Sequence, residues 1–516
     1  MARPTLDLTG GRLAGGLTLA LAAVLLQMVL AVPNRPSALG PAAFARLPLE
    51  LPMLLGAVLA LAPHHRISRG VRALVVALLV GMLVLKAADF AIYESFGRPF
   101  NVVIDMVVVP AGLNLLTGAV GRPGALAIAG GAVLGLGLVA WMLWWALARW
   151  SRPDLSRTGR RTAGGIAIVA AALVVAEAGK GRAWTLPLDP PGQALTARLA
   201  VQHAIRTRTA ARDLAAYNVA AETDPWSGAD GLFDLLDGRD VLIVFLESYG
   251  RTSVDNPLYA PTHLPRLQAS EALLAAEGLA ARSLWLTSPI AGGQSWLAHG
   301  TFASGLPTGD QGRYRAMLAS PRKTLFHLAR DAGYRTGAVM PAITMDWPEG
   351  PRLGFETILA AADLGYAGAP FNWVTMPDQY TLAAYPRHMG DDPRPDFLQI
   401  ALISSHAPWT PVPWMLDWEE VGDGRIFDAM AASGDTPREV WKDRGRVRDH
   451  YRRAIDYTLE ATFAFAARQD EAPLMIVLGD HQPAPSISQV EGLDVPVHLI
   501  GPPEVLARLD GWGATP

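Results

Sequence analysis

The chain has 516 residues, 51% of them hydrophobic and 18% charged, with a formal net charge of −3 and no cysteine. That length is too great for one compact domain, the chain is more apolar than a typical soluble protein, and the lack of a basic excess argues against a nucleic-acid partner. Without cysteine there is no disulfide, no thiolate metal site and no cysteine nucleophile, although a large domain can stand in the periplasm without disulfides.

The apolar residues concentrate in the first 180 positions. Gly11 to Val32 carries about 20 apolar residues, enough to cross a bilayer. Further candidates at Pro48 to Pro63, Val71 to Ile92, Ala125 to Ala148 and Ala163 to Ala176 favour an anchored chain over a cleaved signal peptide. Residues 98–118 are also apolar but are interrupted by Asp105, Pro110 and Asn114. Two Arg-rich loops, HHRISRGVR at 64–72 and RWSRPDLSRTGRR at 149–161, share one side of the membrane only if an even number of spans separates them. The expectation is therefore five spans, with the N-terminus inside and everything after about residue 180 outside. Residues 98–118 would then be re-entrant or lie along the outer surface. Six spans is the runner-up and puts one basic loop outside. Lys86, Asp89 and Glu94, near the outer end of the third candidate, read as residues that snorkel to the interface.

Three regions follow from this reading: a transmembrane domain at 1–180, a linker at 181–239 and an outer domain at 240–516. The linker leaves the membrane through a Pro-rich stretch and continues as a basic, partly amphipathic segment. It reads as a helix packed on the next domain, with Arg206, Arg208 and Arg212 as an alternative contact for anionic lipid head groups.

Beyond Asp240, short β-rich runs alternate with helical stretches, which implies an α/β domain with a mostly parallel sheet and helices on both faces. Asp240 to Leu246, Arg335 to Met340, Phe397 to Ile403, Leu474 to Leu478 and Val495 to Ile500 read as strands. Leu325 to Asp331 and Asp449 to Ala467 read as helices. DVLIVFL, FLQIALI and LMIVL are almost wholly apolar, as strands buried on both faces should be.

The stretch Thr287 to Thr308, TSPIAGGQSWLAHGTFASGLPT, has the makings of a nucleophile at a helix start. Gly292 and Gly293 permit a tight turn with outward NH groups, and a helix opening at Ser295 would favour an anion beside it. Read alone, Ser295 is an ordinary N-cap. Three distant strand ends reverse that reading. The first gives Glu247 in FLESYGR, the second His406 in ISSHAPW, and the third Asp480 and His481 in LGDHQP. Ligand sites of open α/β sheets gather at the carboxyl ends of strands, where ionisable residues after apolar strands need partners. Glu247, Asp480, His481 and Ser295 make an N/O set that would hold a divalent cation. Singly, each would be a helix cap, an ion-pair partner or a loop residue.

With LESYG at 246–250, GGQSWLAHGTFASGLP at 292–307, SSHAPW at 404–409 and GDHQP at 479–483, the chain resembles the alkaline phosphatase superfamily in its sulfatase-like branch. It is most similar there to the membrane-anchored lipoteichoic acid synthases, with the phosphoethanolamine transferases as relatives. The resemblance covers roughly Asp240 to Pro502. It implies that Glu247, Ser295, Asp480 and His481 bind the metal, that Ser295 is the nucleophile, and that His406 binds substrate. It implies a pocket Trp at Trp347. The phosphate-recognising Arg that follows that Trp is matched by Glu349, and Arg352 is near enough to substitute for it. The synthases carry Thr where this chain has Ser295, and the transferases usually carry disulfides. The Ser-x-Pro-x-Arg pattern that true sulfatases convert to an aldehyde is missing after Ser295.

His299 lies four residues after Ser295 on the same helix face and either lines the pocket or packs. His498 and Asp494 read as structural or as supports for a metal. His263, Trp409, Asp378 and Arg387 are weaker substrate-site candidates. The expected function is a metal-dependent membrane phosphotransferase that moves a phosphoglycerol or phosphoethanolamine group from a lipid donor to a glycan or lipid acceptor through phospho-Ser295. The alternatives are a phosphodiesterase or phosphatase using the same site, and a non-catalytic scaffold. Mn²⁺ or Zn²⁺ suits the ligand set, as does Mg²⁺. The expected location is the bacterial inner membrane, with the catalytic domain on its periplasmic or extracellular side.

Overall fold

The computed structural model describes residues 8–61, 66–106, 108–180 and 192–509. The chain divides into two compact units, Met1–Glu94 with Arg98–Asp213, and Ser95–Gly97 with Leu214–Pro516.

The first unit is helical: α1 (Leu8–Ala31), α2 (Glu50–Ala60), α3 (Arg66–Phe96), α4 (Val108–Trp150), α5 (Arg157–Gly179) and the first part of α6 (Leu195–Ala221). Four helices are long and apolar enough to cross a membrane, over Ala14–Ala31, Ile67–Phe96, Val120–Trp150 and Arg157–Gly179. The expectation of five spans is corrected to four helices of spanning length. The second candidate forms only the 11 residues of α2, a rise of about 16 Å against a hydrocarbon core of about 30 Å. Pro48 and Pro52 crowd its start, and Leu61 at its end is extended. It nevertheless packs closely, since a Cβ on Gly56 would lie 2.8 Å from the Ala163 carbonyl of α5. Leu26, Leu30, Leu79, Leu143 and Leu147 form a buried cluster among α1, α3 and α4.

Residues 98–118 contain no spanning window among the described residues. Asn101 caps a single helical turn, Val102–Asp105, and Arg98 forks onto Asp105 at 2.6 and 2.8 Å. The helix from Val108 then breaks at Gly121 (φ 72°, ψ 163°) before the apolar run. Lys86 and Asp89 do not snorkel. Both are buried. Lys86 Nζ donates to the Leu30 carbonyl at 2.8 Å, one of the carbonyls that the end of α1 leaves unpaired. Asp89 accepts from Asn34 Nδ2 at 2.6 Å and Phe100 N at 2.8 Å, and meets His203 Nε2 at 3.0 Å. A buried carboxylate is retained when its lone pairs are filled in this way.

The second unit is a seven-stranded sheet in the order β2-β7-β6-β1-β5-β3-β4. Its strands are β1 (Val241–Leu246), β2 (Ala280–Thr287), β3 (Arg335–Met340), β4 (Thr357–Ala360), β5 (Asp396–Leu402), β6 (Leu474–Gly479) and β7 (Asp494–Gly501). β1 pairs in parallel with β5 and β6, and β3 with β4 and β5. β7 runs antiparallel to β6 and β2. β1 is central, and its alternation explains its uniform apolarity. Leu242, Val244 and Leu246 enter one core, while Val241, Ile243 and Phe245 enter the other. Leu246 stands opposite both Leu402 and Gly479, so the chain leaves three neighbouring strands at one level. β2 and β4 escape a reading by pattern. β2 is an antiparallel edge interrupted by Arg282 and Ser283, and β4 has only four residues.

Candidate metal centre and active site

Three strand exits and one helix start converge. Glu247 follows β1 directly, and Asp480 and His481 follow β6. The two turns touch: a Cβ on Gly479 would sit 1.7 Å from the Tyr249 carbonyl, so only glycine permits this approach. The fourth residue comes from the Gly292–Gly293 turn, with φ of 76° and 137°. Gln294 then caps the helix α7 (Ser295–Ser304) in the left-handed region. Ser295 is therefore the first helical residue and not the N-cap. Its Oγ turns away from the backbone to donate to Glu247 Oε2 at 2.8 Å, and it lies 3.3 Å from His481 Nε2.

His481 Nε2 lies 3.4 Å from Glu247 Oε1 and 3.8 Å from Asp480 Oδ2. Ligand atoms of Glu247, Asp480 and His481 all lie within 4.8 Å of one another. His481 Nδ1 faces the Gln482 carbonyl at 2.9 Å, and a proton held there leaves the Nε2 lone pair for the cluster. Asp480 Oδ1 accepts the amides of Ser248 at 2.8 Å and His481 at 2.6 Å, which aims Oδ2 at the same point. Ser248 Oγ donates to Glu247 Oε1 at 3.0 Å.

The electrostatics agree with this arrangement. Burial and then the Glu247 charge push the Asp480 carboxyl up to about 8. Burial would also raise Glu247, but the His481 imidazole outweighs it and holds that carboxyl well below its ordinary value. Burial lowers His481, yet the Asp480 and Glu247 carboxylates raise its imidazole to about 9. The point between these groups draws positive charge strongly. Two buried carboxylates, one imidazole nitrogen and a hydroxyl therefore fit a divalent cation.

A cavity of about 500 Å³ opens beside Ser295, with Phe245, Met340, Ile343 and Trp347 among its apolar walls. His406 lines it from an exposed loop after β5. His299 also lines it. Its ring lies 4.1 Å from that of Phe245, its Nε2 is buried without a partner, and burial draws its imidazole down to about 4. Trp347 is thus brought to the site and Arg352 is not: the 3-10 turn Gly350–Leu353 directs Leu353 inward and leaves Arg352 exposed. Trp409 is buried behind the His406 loop, with Nε1 donating to the Ser405 carbonyl at 2.6 Å and its ring 5.9 Å from that of Trp441.

His498, Asp494, His263 and Arg387 also lie off the cavity lining. His498 bridges Tyr249 OH at 3.1 Å and Ser283 Oγ at 2.8 Å. Asp494 pairs with Arg251, His263 meets the Arg452 carbonyl at 2.9 Å, and Arg387 is exposed. Asp378 is fully buried and accepts the Ile403 and Ser404 amides, each at 2.8 Å, and Thr458 Oγ1 at 2.7 Å. It sets the turn from which the His406 loop departs. Gln399 and Tyr314 line the cavity as well and were not singled out from sequence. A Gln inside the otherwise apolar DFLQIAL strand was the available signal for the first.

This constellation on this sheet defines a sulfatase-like hydrolase or transferase. Residues 239–494 match the family model described as sulfatase, which marks this part of the chain as a sulfatase-like domain. Similar solved structures include the lipoteichoic acid synthase LtaP from Listeria monocytogenes, at 12% identity and TM-score 0.33, covering 51% of this chain and 65% of that one. The periplasmic domain of EcEptC from Escherichia coli, in complex with Zn, matches at 14% identity and TM-score 0.36, covering 53% and 75%. That of the phosphoethanolamine transferase EptC from Campylobacter jejuni matches at 12% identity and TM-score 0.33, covering 52% and 82%. The chain thus spans slightly less than two thirds of the synthase. No curated protein matches it.

Proposed function

We propose that this protein is a metal-dependent phosphotransferase that moves a phospho-head group from a membrane lipid to an acceptor through phospho-Ser295. The observation that carries the reading is the Ser295 hydroxyl 2.8 Å from Glu247 Oε2 and 3.3 Å from His481 Nε2, at a helix start facing a cavity. Glu247, Asp480, His481 and Ser295 would hold the cation, with Mn²⁺ or Zn²⁺ best suited and Mg²⁺ next. When bound, it supplies Lewis-acid activation of the hydroxyl and of a phosphoryl oxygen.

The chain's own groups account for the remaining steps. Ser295 Oγ gives up its proton toward Glu247 and attacks phosphorus in line, forming the Oγ–P bond as the bond from phosphorus to the lipid alcohol breaks. His406 donates the proton that the departing alkoxide needs. An acceptor hydroxyl, passing its proton to His406, then attacks phospho-Ser295, the Oγ–P bond breaks, and Ser295 recovers the proton held by Glu247. Backbone NH groups at the start of α7 face the charge that develops on the phosphoryl oxygens.

The lining also bears on the head group. Glu349 stands on the cavity wall, and no Lys or Arg lines the cavity among the described residues. A carboxylate there favours a head group with an ammonium, of the phosphoethanolamine type, over phosphoglycerol. We place the catalytic unit on the outer side of a bacterial inner membrane. Two helices of spanning length, α3 and α4, separate the Arg residues opening α3 from those between α4 and α5, so both clusters share the inner side.

The test is to incubate the full-length protein with phospholipids radiolabelled in the head-group phosphate. The expected result is a metal-dependent, acid-stable label on Ser295 that is chased by acceptor glycan or lipid and absent in Ser295→Ala. Label released only as free phosphate ester would establish the hydrolase instead. Full turnover by Ser295→Ala would end the nucleophile assignment.

A further inference from the structure

A second cavity lies wholly within the helical unit, where the C-terminal ends of α1, α3 and α5 meet the first half of α6. Its volume is about 350 Å³, and its lining includes Arg35, Arg46, Lys86, Arg198 and Arg206 against one carboxylate, Glu177. In a chain of net charge −3, five cations around one small space are a concentrated feature. Two of them are internally satisfied. Lys86 Nζ donates to the Leu30 carbonyl at 2.8 Å, and Arg198 Nη2 pairs with Glu177 at 2.7 Å. Glu177 is further occupied, since Oε2 accepts the Ala194 amide at 2.8 Å. Nothing comparable answers Arg206, whose Nη1 is buried without a hydrogen-bond partner.

A buried, unpaired guanidinium nitrogen is costly, and cations converging on a confined space repel one another unless an anion sits between them. The arrangement calls for a compact anion with several acceptor oxygens, and Arg recognises a phosphate by forked, charge-assisted hydrogen bonds. From this geometry we infer a phosphate-ester site in the helical unit, separate from the metal centre, with the buried Nη1 of the half-buried Arg206 as its anchor and Arg35 and Arg46 at its exposed side. Its position at the ends of apolar helices, with Ala31, Val32 and Leu199 beside the charges, suits an anionic phospholipid head group. A soluble phosphate ester presents the same chemistry.

The experiment uses full-length protein in the Ser295→Ala background, so that lipid trapped at the nucleophile is not counted. Delipidated protein is reconstituted in phosphatidylcholine nanodiscs. Binding of phosphatidylglycerol and of inorganic phosphate is then followed by native mass spectrometry and by the thermal midpoint. The expected result is saturable retention of phosphatidylglycerol that falls at least tenfold in Arg206→Gln and in the exposed variant Arg46→Gln, with partial recovery in Arg206→Lys. Stabilisation by inorganic phosphate with no preference for the lipid, lost in the same variants, assigns the site to a soluble ester. Equal retention of both anions by the parent and all variants, or binding of neither, overturns the inference. Arg46→Gln keeps the test decisive if Arg206→Gln fails to fold.

Discussion

Asp378 offers the sharpest check on how the catalytic loops are held. Its carboxylate is fully buried and accepts three hydrogen bonds, from the Ile403 and Ser404 amides and from Thr458 Oγ1. In Asp378→Ala all three donors lose their partner in a space closed to water. At about 1–3 kcal/mol for each buried group left unsatisfied, the expected loss is roughly 3–9 kcal/mol of folding stability. Asp378→Asn should recover most of it, because one amide oxygen can accept both backbone NH groups while the amide nitrogen donates to Thr458. The residues proposed to hold the metal sit on other turns, so bound metal should be unchanged in either variant. Positioning of His406 should suffer in the Ala variant, with kcat reduced more than KM. Denaturant unfolding, metal analysis and steady-state kinetics on the purified full-length chain report these three quantities. An Ala variant within 1 kcal/mol of wild type, or an Asn variant as unstable as Ala, would show that the carboxylate does not hold this turn.

Three further outcomes are expected. Gly479→Ala places a methyl 1.7 Å from the Tyr249 carbonyl and should cost about 3 kcal/mol while separating Glu247 from Asp480; a variant with wild-type melting and metal content would contradict the close approach. Chelation with EDTA should lower both activity and the folding stability of the α/β unit, the latter by about 2.7 kcal/mol if the metal had been present at 100 times its Kd, with recovery on adding Mn²⁺ or Zn²⁺; a wild type free of metal and indifferent to EDTA would remove the centre. Burial draws the His498 imidazole down to about 4 from an ordinary 6.5. The unfolded chain therefore takes up a proton first, and stability present above pH 6.5 is lost as pH falls toward 4, by roughly 3 kcal/mol. His498→Gln should flatten the fall in melting point between pH 7 and pH 4, and an unchanged slope would count against this assignment.

The catalytic sheet could be read from sequence because its central strands obey one rule throughout. β1, β5 and β6 are buried on both faces, so each shows as an apolar run, interrupted inside only by Gln399 of β5, and a polar residue soon after such a run is conspicuous. Glu247, His406, Asp480 and His481 were found that way. Ser295 needed the other segments, since a serine after two glycines is ambiguous until a carboxylate and an imidazole are known to face it. Local pattern fails where three-dimensional context decides. β2 is held by its neighbour β7 and carries half-exposed side chains, so its eight residues show no clear period. α2 has the composition of a span but not the length, because its prolines and the extended Leu61 confine the helix. Arg352 and Leu353 are neighbours in sequence, and only the 3-10 turn decides which of them faces the cavity. Lys86 and Asp89 have the composition of interface residues, and their burial depends on acceptors and donors contributed by α1, Phe100 and α6.

The strand order has a consequence for how the protein is made. β1 lies at the middle of the sheet, yet the turn that completes its end arrives late: 232 residues separate Ser248 from Asp480. At about 5–20 residues per second, the ribosome needs roughly ten to fifty seconds to add that length. Throughout this interval VLIVFL stays without one of its two flanking strands, and the metal ligands stay incomplete. A polypeptide interrupted before Leu474 lacks β6 and, with it, Asp480 and His481. Until β6 emerges, one edge of β1 keeps its backbone groups open to pairing with another chain.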